Sequence, residues 1–595
     1  MAPVSVKVKH QGKTYDVDVD TDSTGEELKM QLFSLTNVEP ENQKVLAGKL
    51  VKDDTPLNSL GLKPGKLITL MGSPSADVVM EVPKEKMKFA EDMTEAELAQ
   101  QEGATPAGLQ NTGNTCYANA TLQTLRSIPE LQQELINYTP GAQPSGPSSS
   151  MFTPDQLAQY GIGGLGGGND LTTALRDLYK QMSETQQGFP PIMFLTTLRQ
   201  KFPQFAERAK NGHGYAQQDA EEVWTQLIQT LHTSLQLPEG ERSDAQQQGF
   251  KSWVDKYMGG RFEVTTTCDD APDEEPQKQK DEFHDLKCNI QGETNHLAEG
   301  MRIALNEKLE KNSPTLGRTA TYTRQSRIAR LPKNLPIHLI RFFWRRDTQK
   351  KAKILRKVTF QHEIDVTEFC TDELRSKLIP VRDRLREVRK EVEDVERAKK
   401  RQKRMRKDAE DEEAVGGKVR SDEPMQKRKE KEQERQTKAT GPASEAELKK
   451  EKETAPSKDD TVMGGTEETY KTDEEIEKER AASILASKKE LLAAVHPDLK
   501  ADPTSNQTGL YELRAVVTHQ GSSADSGHYT AYVKKTAPAG KAEDGKWWWF
   551  NDEKVQEVES EKIETLAGGG ESHSALILLY RSVELPTIEE NGTKA

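Results

Sequence analysis

The stretch Gly108–Arg126, GLQNTGNTCYANATLQTLR, constrains this chain more than any other. It reads as a strained Asn/Gly-rich turn ending at Thr115, then a helix whose apolar residues Ala118, Leu122 and Leu125 recur at i, i+4 and i+7. Cys116 therefore falls in the first turn of that helix. Unpaired N–H groups and the positive end of the helix dipole favour a thiolate over a thiol there. An isolated cysteine is more often a buried structural residue. Here Asn111, with Gly113 in between, can aim its amide at the oxygen that thiolate attack on a carbonyl would charge.

At 595 residues the chain has room for several domains, but 33% hydrophobic and 30% charged residues are too polar a mix for packed structure throughout. A net charge of −13 argues against a nucleic-acid partner. Cys116, Cys268, Cys288 and Cys370 contain no CxxC pair, so neither a disulfide framework nor a four-cysteine zinc site is expected. Without a signal-peptide core or a run of about 20 apolar residues, a soluble intracellular protein with no membrane partner is expected.

Val4, Val6 and Val8 alternate with polar residues, Gly12-Lys13 makes a turn, and Tyr15, Val17 and Val19 alternate again, which is a hairpin. A helix follows with Thr24 as N-cap, Glu27 three residues on, and Leu28, Leu32 and Leu35 on one face. Apolar runs at 44–47 and 67–71 complete a ββαββ order over 1–73, an α+β grasp. The charged stretch 74–104 reads as a flexible linker in which Thr94 and Glu97 can cap a short helix.

Beyond it, a Pro/Gly/Ser-rich surface loop is expected from 139 to 168, with helices through Leu171, Leu175, Leu178 and Met182 and through Val223, Trp224 and Leu227. Strand patterns occur at 259–290 and in LPKNLPIHLIRFFWRR, 331–346. From 375 to 480 charges dominate and apolar residues look too sparse for a core, so a solvated helix through about Lys407 and then disorder are expected. KKRQKRMRK, 399–407, reads either as a nuclear-import signal or as a solvated face. Near the end, a strand from Gly509 feeds a small-residue loop, Gly521–Gly527, that could move, and then the strand HYTAYVKK. His528 opens that strand where a side chain can face a cleft, which suits a general base for Cys116.

The words NTGNTCYANA and SGHYTAYV together resemble the two signature boxes of the ubiquitin-specific proteases, which are cysteine deubiquitinases. The resemblance implies an α+β, papain-like fingers-palm-thumb catalytic domain at 105–583, interrupted by the insertion 375–480 and followed by a polar tail, 584–595. It implies catalysis by Cys116 and His528, with Asn111 on the oxyanion and either Asn551 or its neighbour Asp552 orienting the imidazole. Many members have Asp where this chain has Asn551. Gln217, Gln218, Asp219, Ser522, Ser523, Ser526, Gly527 and Tyr529 would bind substrate or gate the cleft, and the loop 344–353 would lie over it. Asp219 can equally be a helix cap.

The segment QKVLAGKLVKDDTPLNSLGLKPGKLITL resembles the second half of ubiquitin, so a ubiquitin-like domain is expected at the N-terminus. No Gly-Gly pair follows Met71-Gly72-Ser73, so it would serve for docking rather than conjugation, on the 26S proteasome regulatory particle, through His10, Val45 and Leu70. Where many members carry a zinc ribbon of two CxxC pairs, this chain has Cys268 and Cys288 alone; no metal and no cofactor are expected, with a two-thiolate site including His284 as the alternative. The implied function is hydrolysis of isopeptide bonds after the C-terminal Gly of ubiquitin on proteasome-bound conjugates, in cytoplasm and nucleus. The rival is a scaffold that binds ubiquitin without turnover.

Overall fold

Alternating valines in Val4–His10 (β1) and Lys13–Val19 (β2) send one face of an antiparallel pair into a core and leave the other in water. The computed structural model to which they belong describes residues 4–10, 13–21, 23–36, 38–72, 93–101, 103–140, 170–209, 214–238, 249–345, 350–415, 473–523, 526–537, 543–570 and 572–587. It divides into two units, Met1–Met93 and Thr94–Ala595. In the first, helix α1 (Gly25–Thr36) buries Leu28 and Leu32 but leaves Leu35 exposed, a narrower apolar face than the spacing suggested. Strands β3 (Lys44–Leu46), β4 (Leu50–Val51) and β5 (Leu67–Met71) complete a sheet of order β2-β1-β5-β3-β4, with β5 parallel to β1. The edge strand β4 is too short to show alternation in the sequence. The hairpin turn at Gly12 lies outside the described residues.

The docking patch expected at His10, Val45 and Leu70 is not on the surface. Val45 and Leu70 are register partners, 0% and 2% exposed, inside the core with Val6 and Ile68. His10 is 5% exposed, and its Nε2 donates to the Gly72 carbonyl at 2.9 Å. A strand turns alternate residues to opposite faces, so a displacement of one position exchanges core for surface. The outer face instead carries Leu46, Leu50, Leu67 and Met71, 37%, 52%, 56% and 53% exposed.

The second unit begins with α2 (Glu95–Ala99), which Thr94 and Glu97 close in a capping box. Thr185 Oγ1 donates to Glu95 at 2.5 Å and Gln186 Nε2 to the Leu98 carbonyl at 2.9 Å. The last part of the stretch read as a flexible linker is thus docked on this unit; 74–92 lie outside the described residues. A helical layer follows: α3 (Cys116–Arg126), α4 (Pro129–Asn137), α5 (Leu171–Ser183), α6 (Ile192–Lys201), α7 (Ala220–Ser234) and α8 (Trp253–Tyr257). The loop expected at 139–168 falls almost wholly outside the described residues.

Strands β6 (Gly260–Cys268), β7 (Gln277–Phe283) and β8 (Leu286–Asn289), helix α9 (Leu297–Ala304), and strands β9 (Asn306–Asn312) and β10 (Thr319–Arg330) come next, with β7-β6-β10-β9 forming one sheet. The apolar run at 331–346 splits into β11 (Asn334–Ile340) and β12 (Phe342–Arg345), which hairpins with β13 (Lys350–Lys353). Between them Arg341 is buried, donating to the carbonyls of Ala575, Ile354, Arg356 and Ala567.

After β14 (Glu363–Asp365) run α10 (Asp372–Val415), α11 (Asp473–Ala494), β15 (Leu510–Ser523), β16 (Ser526–Lys534), β17 (Trp547–Asn551), β18 (Lys554–Val558) and β19 (Ser574–Ser582). They build the central sheet, β18-β17-β16-β15-β19-β11-β8, with β14 on β15. Both faces of its middle are covered, so β11 and β19 are buried without alternation, and Val517 and Leu579 face the helical layer, Val516 and Leu578 the opposite core. Among the described residues no helix is long and apolar enough to cross a membrane.

The expectation of a solvated helix from 375 is corrected over its first turns. Leu374, Leu378, Val381, Leu385 and Val388 are buried in the second core with Leu491 and Val495. Their spacing alternates four and three, the narrow seam of a coiled coil, which charged neighbours hide in a composition count. Farther on, Lys399, Lys400, Arg401, Lys403 and Arg404 are exposed, and 416–472 lie outside the described residues. Leu378→Ala should therefore destabilise the chain by about 2–5 kcal/mol in urea unfolding. A loss under about 0.5 kcal/mol, as expected for a solvated face, would contradict the seam.

Candidate active site

Two consecutive left-handed residues, Gly113 at φ 102° and Asn114 at φ 53°, reverse the chain just before Cys116. Asn111 Oδ1 accepts from the N–H groups of Gly113 at 3.0 Å and Thr115 at 3.2 Å, so the side chain folds the turn on itself. Asn114 Nδ2 donates to the Tyr215 carbonyl at 2.9 Å, anchoring the turn from outside. Helix α3 then runs buried from Cys116 through Leu125, on every side rather than only along Ala118, Leu122 and Leu125. Its polar residues are paired inside: Gln123 Nε2 donates to the Ala107 carbonyl at 2.9 Å and Thr124 Oγ1 to the Ala120 carbonyl at 3.0 Å.

Cys116 is 3% exposed. Burial pushes its thiol up to about 11; the N–H of Tyr529 counters this, and the charge of Asp552 adds to it. The expectation of a thiolate at the helix N-terminus is overturned for this state, because desolvation outweighs the few N–H groups directed at the sulfur. Among the described residues no hydrogen bond joins the thiol to His528. The histidine stands at the start of β16, and its Nε2 donates to Asn551 Oδ1 at 2.6 Å. That bond fixes the tautomer: Nδ1 is left as the acceptor.

Asn551 ends β17, and Asp552 follows in the two-residue turn to β18, itself left-handed at φ 51°. Asp552 Oδ2 accepts from Asn111 Nδ2 at 3.0 Å, its Oδ1 from Asn119 Nδ2 at 2.8 Å, and its carbonyl from the Leu109 N–H at 3.0 Å. It lies 3.9 Å from His528 Nε2. The two neighbours thus divide the work: Asn551 touches the imidazole, and Asp552 holds Asn111 and helix α3. One N–H of the Asn111 amide is committed to Asp552.

The loop read at Gly521–Gly527 is mostly strand. Ser522 and Ser523 belong to β15, Ser526 and Gly527 to β16, and Ser523 pairs with Ser526 across a bulge; Ala524 and Asp525 at the tip lie outside the described residues. Gly527, at φ 123°, is required, since a Cβ there would sit 2.1 Å from the Gln520 carbonyl and 2.7 Å from His519 Nε2. Tyr529 is buried against His519, ring centroids 4.6 Å apart. Gln218 Nε2 donates to the Gln204 carbonyl at 3.0 Å, and Asp219 caps α7 through the Glu221 N–H at 3.0 Å. Among the described residues no hydrogen bond reaches the buried Nε2 of Gln217.

Sequence reasoning missed two residues here. Asn119 sits on the polar side of a helix whose every side is buried. His519 carries Phe342 on its ring at 5.5 Å, its carbonyl accepts from Lys353 Nζ at 2.7 Å, and burial drives its pKa down to about 3. The β12–β13 hairpin is therefore bolted to the strand that leads to His528; residues 346–349 of the loop expected over the cleft lie outside the described residues. The two-thiolate alternative also fails: Cys268 and Cys288 lie in separate cores, and His284 meets His232 and Asp255 instead.

Gly108 carries a clear prediction, since a Cβ there would lie 2.4 Å from the Glu553 carbonyl. Gly108→Ala should push the 552–553 turn away and lower Cys116-dependent turnover by about 100-fold with the fold retained. Turnover within about twofold of the parent would show that the turn's position does not matter. A second measurement follows from the buried thiol. Alkylation of Cys116 by a haloacetamide should accelerate steadily with rising pH toward about 11, because only the thiolate reacts. A rate already level at neutral pH would mean that a thiolate–imidazolium pair is standing in the free protein.

Family models bring the two units under known descriptions. Ubiquitin carboxyl-terminal hydrolase matches residues 107–580, and the ubiquitin family matches residues 4–75. Over the whole length, the chain is 36% identical to Ubiquitin carboxyl-terminal hydrolase 6 of Schizosaccharomyces pombe, covering 98% of this chain and 99% of the relative. It is 33% identical to Ubiquitin carboxyl-terminal hydrolase 6 of Arabidopsis thaliana, over 97% and 98%. Identity to Ubiquitin carboxyl-terminal hydrolase 14 of Caenorhabditis elegans is 27%, over 97% and 93%. With the thiol, the imidazole and its amide partner already assembled on these residues, the chain belongs to the ubiquitin carboxyl-terminal hydrolase family, as a cysteine-protease member with an N-terminal ubiquitin-like domain.

Proposed function

We propose that this chain cleaves the isopeptide bond after the C-terminal Gly of ubiquitin, on conjugates held at the proteasome. The observation that carries the chemistry is the His528–Asn551 bond of 2.6 Å, which leaves Nδ1 of the imidazole ready to take the Cys116 proton. The thiolate adds to the carbonyl carbon. The oxyanion is held by the Asn111 amide and by main-chain N–H groups at the start of α3. An amide cannot balance an imidazolium by charge, and the Asp552 carboxylate 3.9 Å from the ring supplies what Asn551 lacks. The tetrahedral adduct collapses as His528 gives its proton to the departing lysine amine, leaving a thioester. Water, deprotonated by His528, then releases the ubiquitin carboxylate and restores the thiol.

The resting state fits an enzyme activated on site. A thiol held at about 11 and not bonded to its base must gain that bond when substrate or partner binds. The ubiquitin-like domain would bring the enzyme to the regulatory particle through its outer sheet face, Leu46, Leu50, Leu67 and Met71, in place of the buried residues first expected. Residence in both cytoplasm and nucleus would follow from that partner, with the exposed basic run after Lys399 as an import signal.

The test is hydrolysis of a fluorogenic ubiquitin C-terminal amide, with and without proteasomes stripped of their own deubiquitinases. The expected outcome is turnover that rises on adding proteasomes and disappears in Cys116→Ala. Met71→Glu should abolish the rise and leave the rate without proteasomes unchanged. Turnover that survives Cys116→Ala would overturn the chemistry, and none at all would leave only a ubiquitin-binding scaffold.

A further inference from the structure

Three ligand-bearing side chains that the proposed mechanism does not use meet at one point. His232 comes from the last turn of α7, Asp255 from α8 and His284 from the turn between β7 and β8. His232 Nε2 lies 2.9 Å and His284 Nε2 3.1 Å from the same oxygen, Asp255 Oδ1. The imidazole centroids are 5.3 Å apart with the planes inclined by 56°. Asp255 is positioned independently of both rings: its Oδ2 accepts from the Lys251 and Ser252 N–H groups at 3.0 Å each, and its own N–H donates to Ser252 Oγ at 3.2 Å. Its side chain is 11% exposed against 36% and 30% for the two histidines. The oxygen is therefore aimed in advance, and the rings stay open to solvent.

We propose that His232, Asp255 and His284 bind a divalent zinc-like cation. Two imidazole nitrogens and one carboxylate oxygen form a donor set that suits Zn²⁺ better than Mg²⁺ or Ca²⁺, with the fourth tetrahedral position left to water. Metal–ligand distances of about 2.0–2.2 Å put tetrahedral ligand atoms about 3.3–3.6 Å apart. The observed 2.9 and 3.1 Å need to open by only a few tenths of an ångström. Without metal, each ring can donate an Nε2–H hydrogen bond to Asp255; to bind the ion, a neutral ring carries its proton on Nδ1 and offers the Nε2 lone pair. The neighbouring Arg330 guanidinium, paired with Asp502 at 2.9 Å, has its charge compensated. This is not the paired-cysteine ribbon, since Cys268 and Cys288 take no part.

The ion would have a mechanical role. Main-chain bonds already join the end of α7 to α8, from Trp253 N–H to the Leu235 carbonyl at 2.8 Å and from Leu237 N–H to the Lys251 carbonyl at 3.0 Å. His284 brings in the foot of the four-stranded sheet. A bound cation would pin that sheet to the helical layer and stabilise the folded state by mass action.

The test uses the full chain carrying Cys116→Ala, which removes the active-site thiol as a competing ligand, stripped of metal and titrated with Co²⁺ and Zn²⁺. The expected result is one Co²⁺ per chain with visible ligand-field bands and no thiolate charge-transfer band, and an unfolding midpoint that climbs with the logarithm of free Zn²⁺. His284→Gln keeps a hydrogen-bond donor for Asp255 and should give an unchanged circular-dichroism spectrum. It should weaken binding by at least the roughly 10- to 100-fold that loss of a ligand's outer hydrogen-bond partner costs, and flatten the climb. Absence of binding by the parent, equal binding by the folded His284→Gln variant, or a thiolate charge-transfer band would each overturn the site.

Discussion

The carboxylate of Asp552 is the point at which distant parts of this chain are made to agree. It accepts from Asn111 and Asn119, 441 and 433 positions away in sequence, while its carbonyl holds Leu109. Removing it would strand two amides, one of them on a helix buried along its length, at a cost of about 1–3 kcal/mol each. The larger effect is geometric. Asp552 sits in a turn that only Gly108 and Gly188 allow so close, and its neighbour Asn551 is what the imidazole leans on. The alignment of the helix that carries Cys116, of Asn111 and of His528 therefore depends on one two-residue turn.

The same carboxylate has a cost for the nucleophile. Its charge, added to burial, keeps the thiol protonated, opposite to what the start of a helix would favour. The arrangement makes sense if the resting protein is a positioned but unionised catalyst. Once a proton has moved to His528, the charge that opposed the thiolate favours the imidazolium, so the electrostatic balance turns in the direction of reaction.

Much of this was legible in the residues because period and caps are local signals. The helix after Thr115, the capping box at Thr94 and Glu97, and the strand around His528 all follow from spacing. What stayed hidden was non-local. Val45 and Leu70 were matched to a surface patch through the resemblance to ubiquitin, and in a strand a displacement of one position exchanges surface for core. The seam from Leu374 to Val388 was lost among charges, although its alternation of four and three was there to be counted. Asn119 and His519 could not be singled out, because their partners come from Asp552 and from the hairpin at 342–353, far away along the chain. His284 was noticed for its neighbouring cysteines, while its real neighbours come from a helix and a capping box that spacing does not connect to it.

The topology also sets a schedule. Helix α3 is made early in synthesis, but its buried sides are covered by β16 and β17, and β11, paired with β8 on one edge, must wait for β19 on the other. A ribosome delivers those strands only after the long charged segment has passed, so the thiol cannot meet its base on a chain that stops short of them. Sequence-distant pairing of this kind slows folding. Here it also means that proteolytic competence arrives only with the last strands of the sheet, and that fragments broken off in translation are born without it.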